Sequence, residues 1–570
     1  MKITTKVAAA IIGLVFIGSA VKAQSLDDAK KAINAEQYQK AKSMLKNLTV
    51  TEASKDENYF YLGWVYLLQD EADSAKMVFT KGIGVNAKSA LNYVGLGAVA
   101  LLDKDRTTAT TDFNQALSFT TKKDSKPYVY IGRSYLLTPV GSTVVTPADA
   151  QSAIDVLTKG QVVNPKDPEL SIALGNAYLS QLRSSDAYVQ YQNALTMDPK
   201  SAAADVALGV ISKYANNYDD AETQFKAALV IDPNFGPAYR EWAETDLRWG
   251  ISEPKMAAKI QEGVDHYKKY LDLTDRSVES QMRYADFLIY THDPADYQIL
   301  QQVATDLSKS ANTNLKVYRY IAYAAYENKD YANGLTALNT WMTKADPKRI
   351  IPEDYLYLGR LQIATGNDSL GVQNLQKAYD LDSTQADVFE EIAKSDYTHK
   401  KYLQAAEAYK TYILKSRKAT LNDYLSEALS YYKVFTTQYY STATPKPVPD
   451  TLLLVKADTA FSYIQHKAAA PVAVVALYQA REQDYREPDR NTSRGLAKPY
   501  YEQYIALTLA KPPVKDSDKP FLAEAYDYLG RYYELIAKDE AKAKDNYTQA
   551  LVYAPTDTQA LDYMKRKGGK

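Results

Sequence analysis

Residues 168–199 read PELSIALGNAYLSQLRSSDAYVQYQNALTMDP, and residues 202–233 read AAADVALGVISKYANNYDDAETQFKAALVIDP. Laid over each other at an interval of 34, they coincide where packing would require it. Gly175 falls on Gly209, Ala187 on Ala221 and Ala194 on Ala228, while Pro165, Pro199 and Pro233 follow in step. Each stretch reads as two helices. The first carries Leu174-Gly175 or Leu208-Gly209, and a glycine there leaves room for a second helix to approach its backbone. The second carries Ala, an aromatic four residues later (Tyr191 or Phe225) and Ala three after that, which is one helical face. Asp-Pro ends it, because proline has no N–H and disfavours a helical residue before it.

The period and the order of these residues resemble the tetratricopeptide repeat family. The pattern extends in both directions. Upstream lie Leu62-Gly63 with Tyr66, Ala75 and Phe79, then Gly97 with Ala109, Phe113 and Ala116. Ile131-Gly132 with Ala153, Leu157, Gly160 and Pro165 forms a unit whose extra residues, near 138–146, should loop out between its helices. Downstream units diverge, through Ile321-Ala322, Leu358-Gly359 and Ile392-Ala393, until Leu529-Gly530 with Ala543, Tyr547, Ala550 and Pro555 restores the pattern. Asp557 to Lys567 reads as the polar capping helix a solenoid needs at its end.

The expected fold is therefore all-α, an α–α superhelix of about 12–14 helix-turn-helix repeats. Alternating Pro445, Pro447 and Pro449 favour an extended segment. They divide the chain into a main array over 24–434, a Pro-rich break over 435–451, and a C-terminal array with its capping helix over 452–567. One continuous superhelix with long loops inside its units is the alternative. Either way, the length-based expectation of roughly four domains for 570 residues is replaced by many small units.

Met1 to Ala23 has the layout of a secretory signal peptide. Lys2 and Lys6 precede an apolar run from Val7 to Ile17, and Val21-Lys22-Ala23 suits a small-residue cleavage site. That run is short for a membrane span, which needs about 20 residues. The chain has no cysteine, which excludes disulfides, thiolate chemistry, Cys-ligated zinc and a lipid anchor at the new N-terminus. The leader predicts a periplasmic or secreted protein, most simply of a bacterial envelope, neither lipid-anchored nor membrane-spanning. A net charge of −1 argues against a general nucleic-acid binder.

Catalytic constellations are missing from the sequence, so neither an enzyme nor a cofactor is expected. His266, His292, His399 and His466 are isolated and read as solvated surface residues. Gly82-Ile83-Gly84 and Gly95-Leu96-Gly97 look like dinucleotide loops but fall within repeat helices. Asp219-Asp220 sits where a helix begins and reads as a cap rather than an acid/base pair.

In this family the stacked first helices line a concave groove, where ligands usually lie as extended peptides. The resemblance therefore implies a protein or peptide partner. Offsets of −6, −3, +1, +4 and +5 from the glycine place Phe60, Trp64 and Arg133 toward one end of such a groove. Arg240, Arg248, Arg319, Tyr323, Tyr326, Arg360, Lys394 and Tyr397 follow along the rest. Arg and Tyr are enriched at interface hot spots, and arginine forks onto carboxylates. The expected function is a non-catalytic interaction scaffold. A carbohydrate-binding or glycan-uptake role, with exposed tyrosines stacking on sugar rings, is the alternative. The Lys and Asn clamp by which some family members grip a C-terminal carboxylate is represented here only by Asn176. Asp73-Ser74-Ala75, Asp368-Ser369-Leu370 and Asp450-Thr451-Leu452 resemble a three-residue O-glycosylation signal, although such residues also suit turns.

Tyrosine makes up 49 residues, about one in twelve. Most fall at packing positions, such as Tyr178, Tyr191, Tyr409 and Tyr533.

Overall fold

The structure is a computed structural model that describes residues 25–137, 145–309, 314–487, 489 and 492–568. The expected leader over 1–23 and most of the loop over 138–146 lie outside these residues. Among the described residues there are 29 α-helices and no strand. The chain divides into two compact units, Met1–Asn328 and Lys329–Lys570. Each is an α–α stack of antiparallel helix pairs. Eight pairs follow one another in the first unit, from Leu26–Asn34 with Tyr38–Thr51 to Val278–Leu288 with Pro294–Ser308. The second unit holds five pairs, from Pro352–Ala364 with Asp368–Leu381 to Lys519–Leu535 with Glu540–Tyr553, and ends on Thr558–Gly568.

The repeat packs as its spacing requires. Tyr191, fully buried, lies across Gly175, where an added Cβ would come within 2.3 Å of the ring. Its hydroxyl donates to Asn176 Oδ1 at 2.7 Å, so this asparagine already serves an internal tyrosine. Phe79 is held between two glycines, Gly63 of its own pair and Gly95 of the next; a Cβ on either would lie 2.4 Å from the ring. Close approach of helix to helix at these points leaves no space for a side chain.

The turn between paired helices repeats as strictly as the core. Glu36, Asp70 and Lys104 have φ of 59°, 63° and 63°, as do Leu182 and Asn216 at 60° and 58°. Gly366 (86°) and Lys400 (60°) continue the series. Each follows the end of a first helix, and the next amide bonds back over five residues: Glu71 N–H to the Tyr66 carbonyl at 2.8 Å, Arg183 N–H to Tyr178 at 3.0 Å. This is the Schellman ending of a helix, which glycine adopts most easily. Here most units use other residues.

Two features bear on the organisation of the chain. The helix Leu421–Tyr439 runs through the start of the expected break and packs against Leu452–Lys467. Tyr431, Tyr432, Phe435, Leu454, Ala457 and Phe461 share one buried cluster across that pair. The prolines thus lie between two packed helices of one compact unit, and the two compact units meet in sequence at Asn328/Lys329. A proline-rich stretch reads as a linker whether it separates units or joins two packed helices, because its extended backbone is the same in both.

Candidate functional site

The face expected to form an open groove in the first unit is partly filled by the chain itself. The helix Leu26–Asn34 starts with a capping box, in which the Asp28 N–H donates to Ser25 Oγ at 3.1 Å and Ser25 donates to the Asp28 carboxylate. It packs against Asp56–Leu68, and Lys30 Nζ sits 5.0 Å above the Tyr61 ring. The tip of its hairpin then reaches across the unit. Ala35 packs with Ala202, Val206, Phe235 and Ala238, and its carbonyl lies so near Gly236 that a Cβ there would be 2.7 Å away.

The end of the groove expected at Phe60 and Trp64 is closed. Phe60 is 0% and Trp64 4% exposed. Their rings meet Tyr130 edge to face, with centroids 4.8 and 4.9 Å apart. These aromatics bring the second and fourth helix pairs into contact and present no face to a partner. Beside them, Ile33, Asn34, Tyr61, Tyr130 and Arg133 line a cavity of about 420 Å³. Arg133 is ion-paired with Glu169 and lies 5.1 Å over the Tyr130 ring.

Arg240 is the centre of the second feature. Its Nη2 lies 3.2 Å from Glu36 Oε1, and its Nη1 donates to Glu241 at 2.6 Å. Tyr270 donates its hydroxyl to Glu36 Oε2 at 2.7 Å, and Arg283 Nη1 lies 3.8 Å from the same carboxylate. Burial raises the Glu36 pKa, but Arg240, Arg283 and the tyrosine bond outweigh it and hold the carboxyl at about 2. Lys213 completes the network, with its ammonium 2.6 Å from Glu241 and 3.1 Å from Glu244. Arg240 therefore binds a carboxylate, as its residue type suggested, and the carboxylate belongs to this chain.

The remaining candidates differ in accessibility. Arg248, on the helix of Arg240, stays exposed and donates to Asn216 Oδ1 at 3.1 Å. Arg319 and Tyr323 are buried, at 8% and 1% exposure, and Tyr326 is half-buried. In the second unit Arg360 forks onto Glu391, through Nε–Oε2 at 3.0 Å and Nη2–Oε1 at 2.6 Å. Lys394 pairs with Glu390 one turn away, and Tyr397 lies edge-on to Tyr402 with centroids 5.2 Å apart. Helical offsets alone do not separate a groove-facing position from a covered one, and Phe60, Trp64, Arg319 and Tyr323 are all buried. Glu36 and Arg283 carried no motif, and Tyr270 read only as a packing position of its repeat. Only the turn register, 36 to 70 to 104, marks Glu36 at all.

His266 also differs from the expected surface residue. Its Nδ1 lies 2.8 Å from Asp246 Oδ2 and its ring stacks on Trp242 at 4.1 Å. Among the described residues no group of three or more His, Asp or Glu is placed to hold a metal ion, and no helix is long and apolar enough to cross a membrane.

No protein-family model matches the sequence, and no curated protein does. Solved structures similar to the chain include the C-terminal part of a TPR repeat-containing protein from Cytophaga hutchinsonii. It is 26% identical over 49% of this chain and 98% of its own, with a TM-score of 0.36. Yeast Tom70 is similar over 73% of this chain and 96% of its own, at 11% identity and a TM-score of 0.31. A tetratricopeptide repeat protein from Parabacteroides merdae covers 54% of this chain and 99% of its own, at 12% identity and a TM-score of 0.27.

Proposed function

The chain is built from tetratricopeptide-type repeats, and on that premise we propose that it is a non-catalytic protein-interaction scaffold of the bacterial envelope. Partner segments carrying carboxylates bind the first unit along the helix Gly236–Ser252. The single observation behind this reading is the capture of Glu36 by Arg240 and Tyr270. A site that holds one carboxylate in this geometry is chemically suited to others. Arg248 adds an exposed guanidinium on the same helix. Export is supported by the leader-like sequence from Lys2 to Ala23.

A photo-crosslinking residue introduced at position 248 in intact cells tests the proposal. A discrete protein adduct is expected from 248 and not from position 230, where Val230 is 85% exposed on a second helix. Equal labelling from both positions, or none from 248, overturns it.

A further inference from the structure

A cavity of about 670 Å³ lies within the second unit, well away in sequence from every residue discussed above as a candidate. Its wall includes Tyr440 and Tyr485, whose hydroxyls are 2.8 Å apart. Its charged lining is unevenly paired. Arg481 forks onto Glu524, through Nε–Oε1 at 2.7 Å and Nη2–Oε2 at 2.5 Å, and Tyr501 donates to the same carboxylate at 3.0 Å. Arg531 donates to Asp484 at 2.7 Å. Both guanidiniums are thereby committed, and two carboxylates of the lining, Asp527 and Asp557, are left without an ion pair among the described residues. Asp557 accepts the Ala560 N–H at 2.9 Å. Asp527 Oδ1 is buried and accepts no hydrogen bond. The Tyr528 hydroxyl lines the same cavity, in a side chain 5% exposed, and makes no hydrogen bond of normal geometry.

Buried acceptors left unsatisfied carry a free-energy penalty that a donor can relieve. Four carboxylates against two guanidiniums favour a donor with positive charge. Tyrosine rings suit the hydrocarbon stem and the cation of such a group.

We propose that this cavity binds a cationic side chain of a peptide, an ammonium or guanidinium seated between Asp527 and Asp557, with its stem along Tyr440 and Tyr485. The site rests on the scaffold reading only in taking its ligand from a peptide. Burial, then a hydrogen bond shared with Asp557 and the charge of that residue, push the Asp527 carboxyl up to about 7, against the pull of Arg531 on its own helix, so a bound cation takes the place of the proton the two carboxyls share. The other charged groups facing the cavity are Arg481 and Asp484 from the helix Ala473–Tyr485 and Glu524 from the helix of Asp527; Gln559 is neutral. Ionisation of Asp527 therefore sets the pH dependence: a cation binds more tightly above pH 7 than below it.

Titration calorimetry of the full chain with the peptide Ac-Gly-Gly-Arg-Gly-Gly-NH2 tests this. Binding is expected at pH 8, weaker at pH 6, and lost by roughly tenfold or more in Asp527→Asn/Asp557→Asn, while the citrulline peptide does not bind. If the double variant fails to fold, Asp527→Asn alone and the pH dependence of the unmodified chain decide. Absence of Arg-peptide binding, binding unchanged by Asp527→Asn, or binding of maltotetraose in place of the peptide overturns the proposal. The groove of the first unit is tested by different variants and an acidic probe, so either site can fail without the other.

Discussion

Arg240 and Glu36 stand 204 positions apart in the chain, yet their side chains meet at 3.2 Å inside one unit. The contact closes the N-terminal hairpin onto the seventh helix pair and occupies the Arg240 guanidinium with an internal carboxylate. Its strength has a defined pH window. Because the Glu36 carboxyl lies at about 2 when folded against an ordinary 4.5, the contact contributes its full stability above pH 4.5. That contribution is lost as the pH falls toward 2. Hydrogen exchange across residues 25–51 should accelerate in this window before the rest of the first unit opens, and Glu36→Gln should show the faster exchange already at neutral pH. The charge-assisted bonds it loses are worth about 1–3 kcal/mol.

Leu182→Gly should stabilise the chain. Leu182 is 88% exposed and held at φ 60°, so its side chain contributes little packing while its backbone bears left-handed strain of about 1 kcal/mol. Thermal unfolding should shift upward by a corresponding amount; Gly366 already occupies the equivalent turn of another pair.

Gly175→Ala should act in the opposite sense. The new Cβ would fall 2.3 Å from the Tyr191 ring, which is fully buried and cannot retreat without disturbing its bond to Asn176. Overpacking of this kind costs about 1–3 kcal/mol, to be read from denaturant unfolding.

Glu482 makes the second unit alkali-sensitive. It is fully buried with neither carboxylate oxygen hydrogen-bonded, and burial, helped by Asp458 against the pull of Arg486, raises its pKa from 4.5 to about 9. Between these values the unfolded chain releases the proton while the folded one keeps it, so stability falls with rising pH, by at most about 1.4 kcal/mol per unit. Glu482→Gln should flatten that decline relative to the unmodified chain and raise the melting midpoint at pH 8. Identical pH profiles would count against an uncharged buried Glu482.

The helix pairs were legible in the sequence because the signal that sets them is local. Gly175, Tyr191 and the Asp198-Pro199 stop lie within one unit and specify its packing directly. The turn register was legible in position but not in chemistry, since Glu36, Leu182 and Lys400 are not the residues one expects at positive φ. The site was less accessible to sequence reasoning. Arg240 was identified by residue type and offset, but its partner Glu36 lies six pairs away, and nothing local encodes a contact that depends on how successive pairs stack. Phe60 and Trp64 show the converse: their offset fixes which stripe of their own helix they share, but the covering Tyr130 comes from a different pair.

The most direct test of the account is titration of pentaglutamate peptide into the full chain, its Glu36→Gln variant and the Glu36→Gln/Arg240→Ala double variant. Removal of the internal carboxylate should tighten peptide binding by roughly tenfold, a difference of about 1.4 kcal/mol, and loss of Arg240 should abolish the gain. Equal binding with and without Glu36, or a gain that survives Arg240→Ala, would contradict the claim that this helix face is a carboxylate-binding surface held by the chain's own N-terminal turn.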